Sequence, residues 1–216
     1  ASDPVAFVVM NTPNTLFQTS RLFGVSWSFG NGATAADVRY RFAPFNGWFG
    51  KPQSWLSKTM ATSHNIYGFA GTTMCFSAQS YDSNGTAYGF GGERCTAIPL
   101  DDRALAASGS WSRLSGNGYY RRTFSQSTSL GATLSLGGIR ARHVFVLVEK
   151  CPSCGSIQIY WNGSLVKSYS LFSPTDQKLV YLFGVKFRTV HKGTITIRVS
   201  SSGKVVNIDG VGVSRI

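Results

Sequence analysis

Short runs of β-branched and aromatic residues, cut off by Gly, Asn and Pro clusters, fill this chain almost from end to end. Val5–Met10, Leu22–Phe29, Val38–Phe42, Ile139–Lys150, Ser156–Trp161, Ser164–Leu171, Lys178–Phe183, Thr194–Ser200 and Val205–Val213 all have strand character. Helical periodicity is weak everywhere; its best stretch, Leu100–Ala107, is short and follows Pro99. Parallel strands need crossover connections, usually helical, so the sheets are expected to be antiparallel. Apolar residues on both sides of Asn162-Gly163 predict a tight hairpin, and Ser201-Ser202-Gly203 is read as the last hairpin turn. The expectation is an all-β chain of antiparallel β-sandwiches.

The 216 residues suit two sandwiches of roughly 100 residues each. Pro99 and Asp101-Asp102 mark a seam, dividing the chain into residues 1–99 and 100–216. The seam holds no long Gly/Ser stretch, so the halves are expected to keep a fixed relation. A hydrophobic content of 43% is enough for real cores. No apolar run of about 18 residues is present to form a membrane-spanning helix. Ala1-Ser2-Asp3-Pro4 reads as a mature or trimmed end.

Charge is divided unevenly. Residues 1–103 hold seven Lys/Arg against six Asp/Glu, a balance of +1. Residues 104–216 hold fourteen against Glu149, Asp176 and Asp209 alone, a balance of +11. Such asymmetry points the second half toward an anionic partner, unless the excess only keeps the protein soluble. Four cysteines allow three connectivities. Cys75 and Cys95 lie symmetrically about Gly85, and Cys151-Pro152-Ser153-Cys154 is a short loop. Strand geometry favours Cys75–Cys95 and Cys151–Cys154 disulfides, hence an oxidising compartment and a secreted or cell-surface location.

Residues 4–98 resemble a fibronectin type III domain. Trp27 in Val25-Ser26-Trp27-Ser28 is like the buried strand-B tryptophan of that family, and Tyr40 is like its strand-C aromatic. Gly71–Ala78 followed by Asp82–Gly85 is like its late strand and turn. Met74 stands where the family carries a corner tyrosine, a departure that a local disulfide is expected to offset. Residues 105–216 resemble a carbohydrate-binding-module type of jelly roll, the galactose-binding-like sandwich of bacterial secreted proteins. The likeness rests on Gly131–Leu134, Ile159–Gly163 and Val206–Val213. It implies a fold, not a ligand.

Catalytic groups are scarce. His64, His143 and His191 are far apart, no Gly-x-Ser-x-Gly elbow occurs, and the acids of the second half are scattered. Three scattered acids also argue against a carboxylate-rich calcium cage. The Cys-Pro-Ser-Cys loop precedes a strand-like stretch, not the helix a redox pair would need, and nothing completes a zinc site. No catalytic residue, metal or cofactor is expected.

Binding surfaces have better candidates, because sugar rings stack on exposed aromatic faces. Tyr119-Tyr120-Arg121-Arg122 is read as a strand that turns out one tyrosine and one arginine, with Tyr119 and Arg121 named as ligand residues. Tyr160 and Trp161 share a strand end, and Trp48 lies in the aromatic loop Phe45–Gly50. For any one of these rings a place in the core is the more ordinary reading. Arg121, Arg122, Arg140, Arg142, Lys186, Arg188, Lys192, Arg198 and Lys204 would attract an anionic polymer if many shared one face. Asn84 and Asn162 head Asn-x-Ser/Thr matches but are read as turn residues.

The expected function is a non-catalytic extracellular binding or adhesion segment that contacts glycan or an anionic cell-surface polymer. The alternatives are a spacer or protein-interaction module, or an accessory domain of a hydrolase whose active site lies elsewhere. Nucleic acid is disfavoured, since no nucleic-acid-binding signature is present.

Overall fold

In the computed structural model, residues 5–216 are described. The expectation about Ala1–Pro4 lies outside them. The first eight strands are β1 (Phe7–Thr12), β2 (Leu22–Gly30), β3 (Ala33–Pro44), β4 (Gln53–Thr59), β5 (Ser63–Tyr67), β6 (Thr72–Asp82), β7 (Ala87–Phe90) and β8 (Arg94–Ile98). They form two antiparallel sheets, β1-β2-β5 and β4-β3-β6-β7, with β8 also paired to β6. Alternation decides what each strand buries. Val8, Met10, Val25 and Trp27 turn inward from the first sheet to meet Val38, Met74, Phe76 and Ala78 from the second. Cys75 lies opposite Cys95 on the β6–β8 ladder, and the two are disulfide-bonded. Asp82 closes the turn after β6 by accepting hydrogen bonds from the Asn84 and Thr86 amides.

The remaining strands are β9 (Leu100–Asp101), β10 (Ala106–Ser108), β11 (Ser112–Ser115), β12 (Thr123–Ser127), β13 (Thr133–Lys150), β14 (Ser156–Trp161), β15 (Ser164–Ser170), β16 (Gln177–Val199) and β17 (Val206–Ser214). The stretch with the best helical pattern, Leu100–Ala107, becomes two short strands around a 3-10 turn at Asp102–Ala104. All nine strands belong to one hydrogen-bonded system, because β13 and β16 are long enough to serve two layers. The second half of β13 pairs with β17 and with residues 177–186 of β16. The first half pairs with β10 and with the later part of β16, which continues to β14 and β15. The bend lies where Ala141 faces His191 but His143 faces Lys186, so a short step on β13 meets a longer one on β16. Extra residues of this kind bend a strand and raise its twist. Leu134, Ile139, Val144, Val146, Ile157, Ile195 and Ile208 fill the space between the layers.

Two local expectations are corrected. Ser201–Gly203 does not close a hairpin: β16 and β17 do not pair with each other, and both flank β13. Tyr119–Arg122 is not a strand: Tyr120–Arg122 forms a 3-10 turn, with Arg121 at φ 54° and Arg122 at φ 62°. A strand hides alternate side chains, whereas this turn buries Tyr120 and exposes both arginines. Asn162 (φ 49°) and Gly163 (φ 82°) do make the expected hairpin turn between β14 and β15. The Cys151–Cys154 bridge clips the loop before β14.

The outer face of β13 and β17 is covered by residues 7–98 of the same chain. Phe145 points away from the jelly-roll core, and the ring of Phe17 rests on it at 3.9 Å. Gly212 makes room, since a Cβ there would lie 2.5 Å from that Phe17 ring. Thr73 donates to the Val213 carbonyl, the Arg215 amide donates to Thr73, and Tyr120 donates to the Pro99 carbonyl.

Candidate functional site

The three histidines stay apart. His64 lies against Trp55, His143 Nδ1 is 2.5 Å from the Ile216 carbonyl oxygen, and His191 stacks on Phe187 at 4.3 Å. None has a carboxylate partner among the described residues. The acids, in contrast, are not scattered. Adjacency of β9, β17 and β13 draws Asp101, Asp102, Asp209 and Glu149 together beneath Tyr119 and Tyr120. Thr123 donates to Asp101 and Asp102, Ser125 and Arg113 to Asp102, the Tyr120 amide to Asp209, and Tyr119 and Asn207 to Glu149. Burial pushes the Asp209 carboxyl up to about 7, and the neighbouring acids add to the shift. Burial likewise raises Asp102, with Asp101 contributing. Asp102 and Asp209 have no exposed surface. These carboxyls are partners of inward-facing donors, Asp102 and Asp209 fully buried and Asp101 at the edge of a surface pocket beside Arg121. The only compact set of metal-ligand types among the described residues is Cys75, Glu93 and Cys95, whose sulfurs are bonded to each other.

The five residues expected to bind ligand fall at four separate places. Trp161 is at the first. It ends β14, where the Asn162 side chain accepts a hydrogen bond from the Thr194 amide and pins the hairpin turn to β16. The indole lies over Gly193, where a Cβ would come within 2.3 Å of it. Phe187 packs beside it at 5.4 Å. Strand β15 is the free edge of one layer, and residues 177–186 of β16 are the free edge of the other. The open flank between them is a groove of about 660 Å³. Trp161, Val166, Phe183 and Phe187 form its apolar wall, and Asn162, Ser164, Lys167 and Lys186 supply polar groups. No carboxylate lines it. Phe183 is 50% exposed. Tyr160 points to the opposite face of β14, and its hydroxyl donates to Gln158.

Tyr119 and Arg121 line a second cleft, also about 660 Å³, with Arg21, Tyr67 and Arg122. It is more polar and spans both halves of the chain. The Tyr119 ring is stacked on Phe124 at 4.0 Å, its hydroxyl donates to Glu149, and the Lys178 ammonium lies 4.3 Å from its centre. Arg121 sits 3.8 Å from Asp101. Trp48, the fifth residue, is at neither place. Its loop is held to the second half through Phe45, whose carbonyl accepts from the Arg140 amide. Phe183 ends the strand-like run Lys178–Phe183 and Phe187 lies between the strand-like runs, so the sequence singles out neither as a binding residue. Only the topology shows that this stretch of β16 is an edge.

No protein-family model and no curated protein matches the chain. Among solved structures, it is similar to the CBM36-1 domain of a multidomain xylanase from the hindgut metagenome of Trinervitermes trinervoides. That match has TM-score 0.42 and 11% identity over 55% of this chain and 96% of the other. A family 35 carbohydrate-binding module from Clostridium thermocellum matches with TM-score 0.38 and 16% identity, over 54% and 98%. A carbohydrate-binding module of the β-sandwich superfamily matches with TM-score 0.41 and 10% identity, over 98% of each chain. Likenesses this distant select neither ligand nor activity.

Proposed function

We propose that this chain is a non-catalytic extracellular segment that holds a glycan in the groove between β15 and β16. One observation carries the reading: the exposed ring of Phe183 and the half-buried rings of Trp161 and Phe187 line one open groove, flanked by polar groups and free of carboxylates. Sugar C–H faces stack on such rings while amide, hydroxyl and ammonium groups fix the hydroxyls. The acids that could have served hydrolysis are buried elsewhere. Two disulfides support an oxidising, extracellular setting.

In this reading residues 1–99 and 100–216 are two domains. Sheets β1-β2-β5 and β4-β3-β6-β7 support a fibronectin type III-like arrangement for the first. The experiment is retention on a panel of insoluble polysaccharides, with Trp161→Ala and Phe187→Ala as comparisons. Wild type is expected to be retained on at least one sugar, and each variant to lose about tenfold in affinity, as a stacked ring is worth roughly 1.4 kcal/mol. No retention of wild type on any polysaccharide overturns the reading.

A second reading has its own observation. Phe7, Val9 and Leu22 are each more than 40% exposed on the outer face of β1 and β2, a surface suited to a protein partner.

A further inference from the structure

Unbalanced positive charge gathers at the bend where β13 and β16 pass from one layer to the other. Arg140 stands directly opposite Lys192. Like charges placed across an antiparallel ladder destabilise it. The cost is not relieved by acids: among the described residues no carboxylate lies within 4.0 Å of Arg140, Arg142, Lys192 or Arg215.

Arg215 is the most unusual of these groups. It is 5% exposed, and one terminal nitrogen, Nη2, donates to the Pro44 and Gly47 carbonyls. Its Nε and Nη1 are buried without a partner, as is Nε of Arg142. Burial, and then the charge of Arg140, pull the Arg215 guanidinium down to about 10, so it remains cationic at neutral pH. A buried charge without a counter-ion is among the most expensive features a fold can carry.

Both guanidiniums converge on Trp48. Arg140 lies 4.9 Å and Arg215 5.5 Å from its ring centre, yet the tryptophan is 64% exposed. An outward-facing indole beside cations that lack counter-ions is suited to a ligand bearing both sugar rings and negative groups.

We propose that this bend is a binding platform for an acidic polysaccharide, whose carboxylates or sulfates pair with Arg140 and Lys192 while a sugar ring lies against Trp48. The site shares none of these three residues with the groove between β15 and β16, and stands or falls independently of it. The disulfides favour a glycan over nucleic acid, because the polyanions of an oxidising extracellular compartment are mainly sugar polymers.

The test measures binding of the whole chain to polygalacturonate, dextran sulfate and duplex DNA across a salt series. Wild type should bind at least one acidic polysaccharide, with affinity falling steeply in salt. Arg140→Ala combined with Lys192→Ala should weaken that binding about tenfold and lower the salt slope by about 2. Because the Arg140 contact to Phe45 uses the backbone amide, the double variant should unfold at the same or a higher temperature than wild type. Trp48→Ala should weaken binding while leaving the salt slope unchanged. Polygalacturonate and dextran sulfate separate the carboxylate from the sulfate form of the ligand. Failure to bind either polysaccharide at low salt, unaltered binding by the double variant, or tighter binding of DNA would each overturn the proposal.

Discussion

Asp209 illustrates how one side chain can tie the fold to pH. Its carboxyl is fully buried, accepts the Tyr120 amide, and sits near Asp101, Asp102 and Glu149. The folded chain therefore holds its proton up to about pH 7, whereas an unfolded aspartate releases it near 4. The folded state binds the extra proton throughout that window, so this group's contribution is complete below about pH 4. It declines as pH rises to about 7, by up to about 4 kcal/mol. Asp209→Asn should raise the melting temperature at pH 8, match wild type near pH 4 and flatten the profile between; an unchanged profile would refute the assignment. Gly193 offers a second single-residue test. Its missing Cβ is what lets the Trp161 indole lie flat. Gly193→Ala should displace the ring, alter tryptophan fluorescence and weaken polysaccharide retention. It should also lower the melting temperature, since the added Cβ would meet Asn162 Oδ1 at 2.7 Å, the atom that holds the hairpin turn to β16.

At the scale of elements, period-2 alternation made many strands legible: β2, β3 and β14 contain stretches where Val, Trp, Ile and Tyr alternate with polar residues, while β1 reads as a short apolar run. Length was not legible. Lys178–Phe183 and Thr194–Ser200 read as separate runs, but Gln177–Val199 is one strand. In the intervening Lys186–Lys192 stretch only Phe187 and Val190 interrupt charged and polar residues, so the periodic signal fades there although the strand continues. The same gap concealed both candidate sites, which depend on where β16 becomes an edge and where it turns. The acid cluster was concealed for another reason: Asp101, Glu149 and Asp209 lie on three strands that only the pairing of β9, β17 and β13 makes neighbours. The disulfides were readable because each closes a local loop. Cys75–Cys95 spans 20 residues and Cys151–Cys154 only 3. Chain entropy then assigns about 3 kcal/mol to the first and nearer 2 to the second. Replacing Cys75 and Cys95 together with Ala should therefore lower the denaturant midpoint more than replacing Cys151 and Cys154; the reverse order would show that packing outweighs loop closure.

Across the whole molecule, the deciding feature is how the two halves meet. Domains joined within one chain usually retain some relative motion unless their contact is large and apolar. Here Phe17, Ala97, Phe145 and Tyr181 form a shared cluster, with Phe17 and Phe145 in ring contact. Around it, backbone and hydroxyl groups cross the boundary through Thr73, Tyr120 and the Phe45 carbonyl. Neither half can shed these contacts without exposing Phe145 or leaving buried donors unmet, both of which cost several kcal/mol. Unfolding should accordingly be a single cooperative transition, with calorimetric and van't Hoff enthalpies equal. Phe145→Ala, though it belongs to the second half, should destabilise the whole chain by about 3–5 kcal/mol and lower one common melting temperature by roughly 10 °C. Phe17→Ala should do the same from the other side, and the double variant should lose less than the sum, because the two rings support each other. Two resolved transitions, or a shift confined to one half, would show that the halves fold independently. A rigid pair has a functional consequence. Trp48 extends from one half and Arg140 and Lys192 from the other, so the platform they form exists only while the halves remain docked. Phe145→Ala should therefore lose acidic-polysaccharide binding together with its single unfolding transition, at a temperature where wild type is still folded and still binds.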